Sequence, residues 1–140
     1  MSFQNPGQEE IRQILQNSKT IAVVGLSDNP QRVSHMVAEA MQRKGFRIIP
    51  VNPNTDQVLG EKSYASLKEI PEAVDIVNVF RRSEQVVPIA EEAAQIGAKV
   101  LWLQQGIYNE AAAEIASRAG MTVIMDLCIK VMDSLLNPHR

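Results

Sequence analysis

The stretch Thr20-Ile-Ala-Val-Val-Gly-Leu-Ser-Asp-Asn-Pro-Gln-Arg-Val-Ser34 leaves this chain few folds to choose from. It opens with an apolar, mostly β-branched run, breaks at Gly25, continues as a polar loop and passes into a helical pattern near Ser34. The run is apolar on both faces, as a central parallel strand is. A strand, a glycine turn and a helix N-terminus in succession also bring loop N–H groups and the positive end of a helix dipole to one spot. That combination suits phosphate.

The same unit recurs down the chain. Residues 46–51, 74–80, 99–103 and 121–125 read as four more strands. Helical spacing separates them. One helix is expected over 34–44, with Ser34 as N-cap and Gly45 just past its end. A second runs from a Ser83 cap to about Ile96, a third from an Asn109 cap to about Arg118, and residues 126–136 close the chain with a helical end. Residues 56–64 look irregular, with a short extended piece at 57–59, and 66–69 reads as a short helix. Ile11, Ile14 and Leu15 give residues 8–17 helical spacing, read as a surface helix in an N-terminal extension over 1–17. Strands alternating with helices at this spacing indicate βαβ units. The expected fold is α/β, a single domain over 1–140 with a three-layer Rossmann-like architecture and a mostly parallel five-stranded sheet.

Bulk properties narrow the function. The 140 residues carry a formal net charge of -2, with no basic arm or stripe, so duplex nucleic acid is not an expected partner. No apolar run reaches the ~18 residues of a membrane span. The N-terminus lacks a basic-then-apolar leader, and the single cysteine, Cys128, excludes an internal disulfide framework and a multi-cysteine zinc site. A cytoplasmic location is expected on these grounds.

In open α/β sheets ligands bind outside the carboxyl ends of the strands, at the point where strand order reverses. The loops there are 25–33, 52–56, 80–83 and 104–108. A nicotinamide dinucleotide fits them poorly. The first loop has one glycine rather than the three of G-x-G-x-x-G, and the second strand ends Val51-Asn52-Pro53-Asn54 without the acid that grips ribose hydroxyls. Asp56 lies beyond a proline turn, and no Tyr-Lys proton donor stands out, so an NAD(P)-dependent oxidoreductase is the weakest alternative. The loop instead carries Ser27 and Arg32. Backbone N–H groups, a hydroxyl and a planar guanidinium all suit phosphate oxygens.

Several stretches occur together and in order: Gly25-Leu-Ser27, Arg32-Val-Ser34-His35, Val51-Asn52-Pro53, Ile76-Val77-Asn78-Val79-Phe80-Arg81, Trp102-Leu103-Gln104-Gln105-Gly106-Ile107 and Met125-Asp126-Leu127-Cys128-Ile129-Lys130. In this the chain resembles the small stand-alone CoA-binding proteins, whose fold is similar to the CoA-binding domain of the succinyl-CoA synthetase α subunit. The resemblance implies binding of coenzyme A or an acyl-CoA. Its anionic pyrophosphate would meet Gly25, Ser27, Arg32 and Ser34, and its adenine would lie against Val51 and Pro53 with Asn52 at its edge. Phe80 and Arg81 (in preference to Arg82) would hold the nucleotide or the start of the pantetheine arm, and Gln105-Gly106 would let backbone approach that arm. A 3′-phosphate would repel an acid at the end of the second strand, where none stands. The synthetase subunit uses a further domain with a phosphorylated histidine. This chain ends near where the first domain would end, so independent ligase activity is not expected. The alternative is an accessory nucleotide-binding subunit of an acyl-CoA synthetase or ligase. A homodimer and an unidentified protein partner stay open.

The other chemistry-bearing residues have ordinary readings. Cys128 is expected as a small buried apolar residue rather than a thiol reacting with CoA. His35 should pack or hydrogen-bond, Trp102 should lie in the core, and Glu91-Glu92 should be a solvated helix face. Asp126 and Asp133 lack metal-ligand spacing and read as helix-end charges.

Overall fold

Five parallel strands form the sheet in the computed structural model, which describes residues 3–140. In chain order the elements are α1 (Gln8–Asn17), β1 (Thr20–Val24), α2 (Val33–Arg43), β2 (Arg47–Val51), β3 (Gln57–Val58), β4 (Glu61–Lys62), β5 (Ile76–Val79), α3 (Val86–Gln95), β6 (Val100–Leu103), α4 (Glu110–Arg118), β7 (Thr122–Ile124) and α5 (Ile129–Leu136). The sheet runs β2-β1-β5-β6-β7, and β3 and β4 form a small antiparallel hairpin outside it. In register, Ile21 lies between Ile48 and Ile76, and Val24 between Val51 and Val79. Alternate side chains feed two cores. Ile21, Val23, Ile76, Val100 and Trp102 pack under α1, α2 and α5. Ala22, Val24, Val77, Val79 and Leu101 pack under α3 and α4. The three-layer α/β fold expected from the sequence is therefore what the chain adopts.

Three local expectations need correction. Ser34 does not cap α2. The helix begins one residue earlier with Arg32 at the N-cap and no side-chain cap bond, and the buried Ser34 hydroxyl accepts the Ser27 N–H at 3.0 Å. Ser83 does not cap α3. It opens a 3-10 turn over Ser83–Gln85, and its hydroxyl accepts the Tyr108 N–H at 3.0 Å. Nor does α1 merely lie on the surface. Ile11 and Leu15 are fully buried in the core shared with α5, worth about 3–6 kcal/mol together. The Asn109 cap is present, its side-chain oxygen accepting the Ala112 N–H at 2.9 Å.

Two charged clusters brace the layers. At the start of the sheet, Asp75 Oδ2 accepts the N–H groups of Lys19 at 2.8 Å and Thr20 at 3.1 Å, with Lys99 Nζ 3.6 Å from Oδ1. Asp133 is not a helix-end charge but a wholly buried carboxylate on the inner face of α5. Lys44 Nζ lies 3.2 Å from it, and Arg140 donates to it through Nη2 at 2.8 Å and through Nε. Arg140 also donates to the Leu15 carbonyl at 3.0 Å and lies over the Phe46 ring, so one guanidinium ties α5 to α1 and to the turn after α2.

Candidate ligand-binding site

The strand order decides where a ligand can lie. The chain leaves β1 and β7 toward the face that carries α2 and α5, and leaves β5 and β6 toward the face that carries α3 and α4. Loops that part in opposite directions open a crevice above the strand ends. Here a cleft of about 600 Å³ runs along that line, walled by Gly25, Ser27, Arg32 and Ser34 on one side and Phe80, Arg81 and Gln105 on the other. This volume falls within the usual range for small-molecule sites.

Gly25 sets the closest approach of the two loops. Its φ is +87°, and a Cβ built there would stand 2.3 Å from the Phe80 carbonyl oxygen. Two backbone bonds keep the strands tight at this point, Gly25 N–H to Val51 O at 2.9 Å and Phe80 N–H to Val24 O at 2.8 Å. The loop beyond is folded by its own side chains. Ser27 Oγ accepts the Asn29 N–H, and Asn29 Oδ1 accepts the Gln31 N–H, both at 3.0 Å. The loop delivers Arg32 to the mouth of α2, where the helix N-terminus carries no side-chain cap. Uncapped first-turn N–H groups beside an exposed guanidinium make an anion site. The Ser27 N–H is already bonded to Ser34, so Ser27 has its hydroxyl rather than its amide to offer a ligand.

Arg81 stands over Gly25 and is half-buried. It also lines a second hollow of about 190 Å³, formed with Val24, Val51, Pro53, Leu67, Ile89 and Glu92. Val51 and Pro53 thus join the site through this side chamber rather than through the main cleft. Glu92 is not simply solvated, because it lines the hollow and accepts the Leu67 N–H at 3.2 Å. Asn52 works as a strut. Its nitrogen donates to Leu26 O and its oxygen accepts the Asn54 N–H, each at 2.9 Å, which joins the loops after β1 and β2. Gly106 is not part of the cleft wall. Its φ is +86°, its N–H donates to Asp126 Oδ1 at 2.7 Å, and a Cβ there would meet nothing within 4 Å.

The cleft is also lined by Val33, Ile107, Gln104 and Cys128, which the sequence does not single out as ligand contacts. Cys128 is half-buried in the wall of the cleft, not a core residue, because the loop after β7 belongs to the same edge as the other four. Gln104 is 4% exposed and also lines the cleft. Its signal was its position, directly after β6. Trp102 lies in the core as expected, with its indole N–H holding Leu127 O at 2.8 Å, which fixes the loop that carries Cys128. His35 is packed into the interior, and its Nδ1 finds no partner among the described residues. A separate groove of about 380 Å³ lies between α1 and residues 136–140. Among the described residues no group of three or more His, Cys, Asp or Glu side chains could hold a metal ion, and no helix is long and apolar enough to cross a membrane.

Residues 19–134 match a family model described as a CoA binding domain. The uncharacterized protein YneT of Bacillus subtilis is 60% identical over 129 residues, covering 92% of this chain and 96% of that protein. A hypothetical protein from Pyrococcus horikoshii has the same fold, with a TM-score of 0.92 at 33% identity over 98% of this chain and 99% of its own. The alpha subunit of the ADP-forming acetate–CoA ligase II of Pyrococcus furiosus is 28% identical over 132 residues, 86% of this chain but 29% of that subunit. The chain thus spans less than a third of the ligase subunit it matches.

Proposed function

The chain belongs to the CoA-binding domain family, and from that premise we propose that it holds coenzyme A or an acyl-CoA in the cleft at the strand ends. The observation that carries this reading is the meeting of two differently built spaces at Arg81. On one side lies the cationic cleft with Arg32 and the uncapped start of α2. On the other lies the mostly apolar hollow of Val24, Val51, Pro53 and Leu67. A ligand with an anionic middle and a flat base at one end matches that layout. The pyrophosphate sits between Arg32 and Arg81, where guanidinium forks and helix N–H groups bond its oxygens. The purine lies in the hollow, where the Glu92 carboxylate can accept from its amino group. The arm runs the other way, past Phe80 toward Gln105. An affinity in the micromolar class, about -8 kcal/mol, is expected of such a preformed site. Calorimetric titration with CoA, dephospho-CoA and NAD tests the reading. CoA should bind most tightly. Tighter binding of NAD would refute it, and equal binding of CoA and dephospho-CoA would mean that nothing in the site reads the 3′-phosphate.

The match to the acetate–CoA ligase subunit favours a second reading, in which the domain presents CoA to a ligase assembled with further protein. Turnover of acetate, ATP and CoA by the purified chain alone would refute a purely binding role.

A further inference from the structure

The floor of the cleft holds an anchored amide with one end unused. Gln104 Oε1 accepts two N–H groups, from Asn78 Nδ2 and from Ile129 in the first turn of α5, each at 3.2 Å. Two donors on one atom settle which end of the amide is oxygen. The Nε2 end then has no protein acceptor among the described residues, although the side chain is nine-tenths buried and lines the cleft. That end reaches the open cleft and is not sealed in protein, which places its donor where a ligand carbonyl can accept it. Beside it in the same wall, at the N-cap of α5, is the thiol of Cys128. It is the one cysteine in the chain.

Distance allows a CoA arm to reach this point. From the end of β1, where Gly25 and Arg81 stand, to β7 is three strand spacings, ~14 Å. The pantetheine arm has the bond count of about four extended residues, ~14 Å. A ligand whose phosphates lie by Arg81 therefore ends with its sulfur near Cys128.

Resting on the CoA reading, we infer that Cys128 is a thiol–disulfide exchange site for CoA disulfide, with Gln104 Nε2 positioning the arm by a bond to one of its amide carbonyls. The Cys128 thiolate attacks the sulfur of the CoA half that lies in the cleft. The disulfide between the two CoA halves breaks, and a Cys128–CoA disulfide forms. The outer CoA leaves as a thiolate and takes up the proton that Cys128 gave up. One disulfide replaces another, so no external oxidant is needed.

The test is intact-mass spectrometry of the full chain incubated with CoA disulfide or with the small neutral disulfide of 2-mercaptoethanol. One CoA adduct should form on the wild type at least tenfold faster than the mercaptoethanol adduct, and Cys128→Ser should form neither. Gln104→Glu keeps the acceptor for Asn78 and Ile129 but removes the donor. With the uncharged disulfide of pantetheine, which has the same arm amides and no phosphates, the variant's rate relative to its own mercaptoethanol rate should fall tenfold or more against the wild type. A change in Cys128 reactivity or general loosening of the loop would move both rates together, and an unchanged ratio would overturn the role of Gln104. Equal rates for the CoA and mercaptoethanol disulfides in a wild type that binds CoA by calorimetry would overturn the inference and leave the binding reading standing. Absence of CoA binding by calorimetry would instead remove the reading on which it rests.

Discussion

Replacing Gly25 with alanine should damage both the stability and the site, and the structure lets the two contributions be separated. The residue has φ +87°, a conformation that costs an L-residue about 1–2 kcal/mol. The new Cβ would also sit 2.3 Å from the Phe80 carbonyl oxygen, too close for any real contact. A backbone atom cannot swing aside as a side chain can, so the loops after β1 and β5 must part. That strains the bonds from Gly25 to Val51 and from Phe80 to Val24, each worth about 0.5–1.5 kcal/mol. The whole cost should be about 2–5 kcal/mol, or a fall in Tm of roughly 8–20 °C for a domain this size. Gly106→Ala supplies the control, because its φ is nearly the same, +86°, with nothing within 4 Å of the added carbon. It should lose only the conformational part, about 1–2 kcal/mol. Thermal melts followed by circular dichroism measure both, and calorimetry on the folded Gly25→Ala protein should show CoA affinity down tenfold or more. If the two variants melt within a few degrees of each other, close approach of the loops is not what requires glycine at position 25.

Other expectations follow from single contacts. Arg32 is exposed at the cleft mouth, so Arg32→Ala should weaken CoA by ~1.5–3 kcal/mol by calorimetry, as loss of a charged donor does, while Tm barely moves. Burial pushes the Asp75 carboxyl up, but the N–H groups of Lys19 and Thr20 and the Lys99 ammonium outweigh it and hold the pKa below the usual carboxylate range. With the folded-state value below the unfolded one, its stabilisation is complete above about pH 4 and disappears as pH falls through the folded value. Asp75→Asn should therefore cost about 1–2 kcal/mol in urea melts at pH 7, and the gap from the wild type should narrow as pH falls below the ordinary carboxylate range; a constant gap would show that charge is not involved. Arg140→Ala leaves the buried Asp133 with Lys44 as its remaining cation and should cost about 3 kcal/mol in the same assay. A loss below about 1 kcal/mol would mean that Lys44 and the Asn137 side-chain amide, which donates to the same carboxylate at 3.2 Å, suffice.

Much of the architecture was legible in the residues because it is decided locally. Runs such as Ile21–Val24 and Val100–Leu103, apolar on both faces, are stable only as buried strands, and Asn109 followed by an alanine-rich stretch starts a helix by a side chain reaching its own third neighbour. Local rules failed where a polar side chain had a better distant partner. Ser34 and Ser83 stand where a cap should, but one hydroxyl serves the Ser27 N–H and the other the Tyr108 N–H. Asn52, at the end of the second strand, spends side-chain bonds on joining two loops.

The amino-acid order by itself determined that strands and helices alternate, that a glycine turn follows the first strand and that Arg32 lies beside it. Only the tertiary structure decided which strands are neighbours. That choice depends on burying both sheet faces at once, a sum over contacts far apart in the chain, and it placed β7 beside β6 so that Gln104 meets the start of α5 across 25 residues. It also sent the chain from β1 and β7 to one face and from β5 and β6 to the other, which opened the crevice and left Cys128 facing into it.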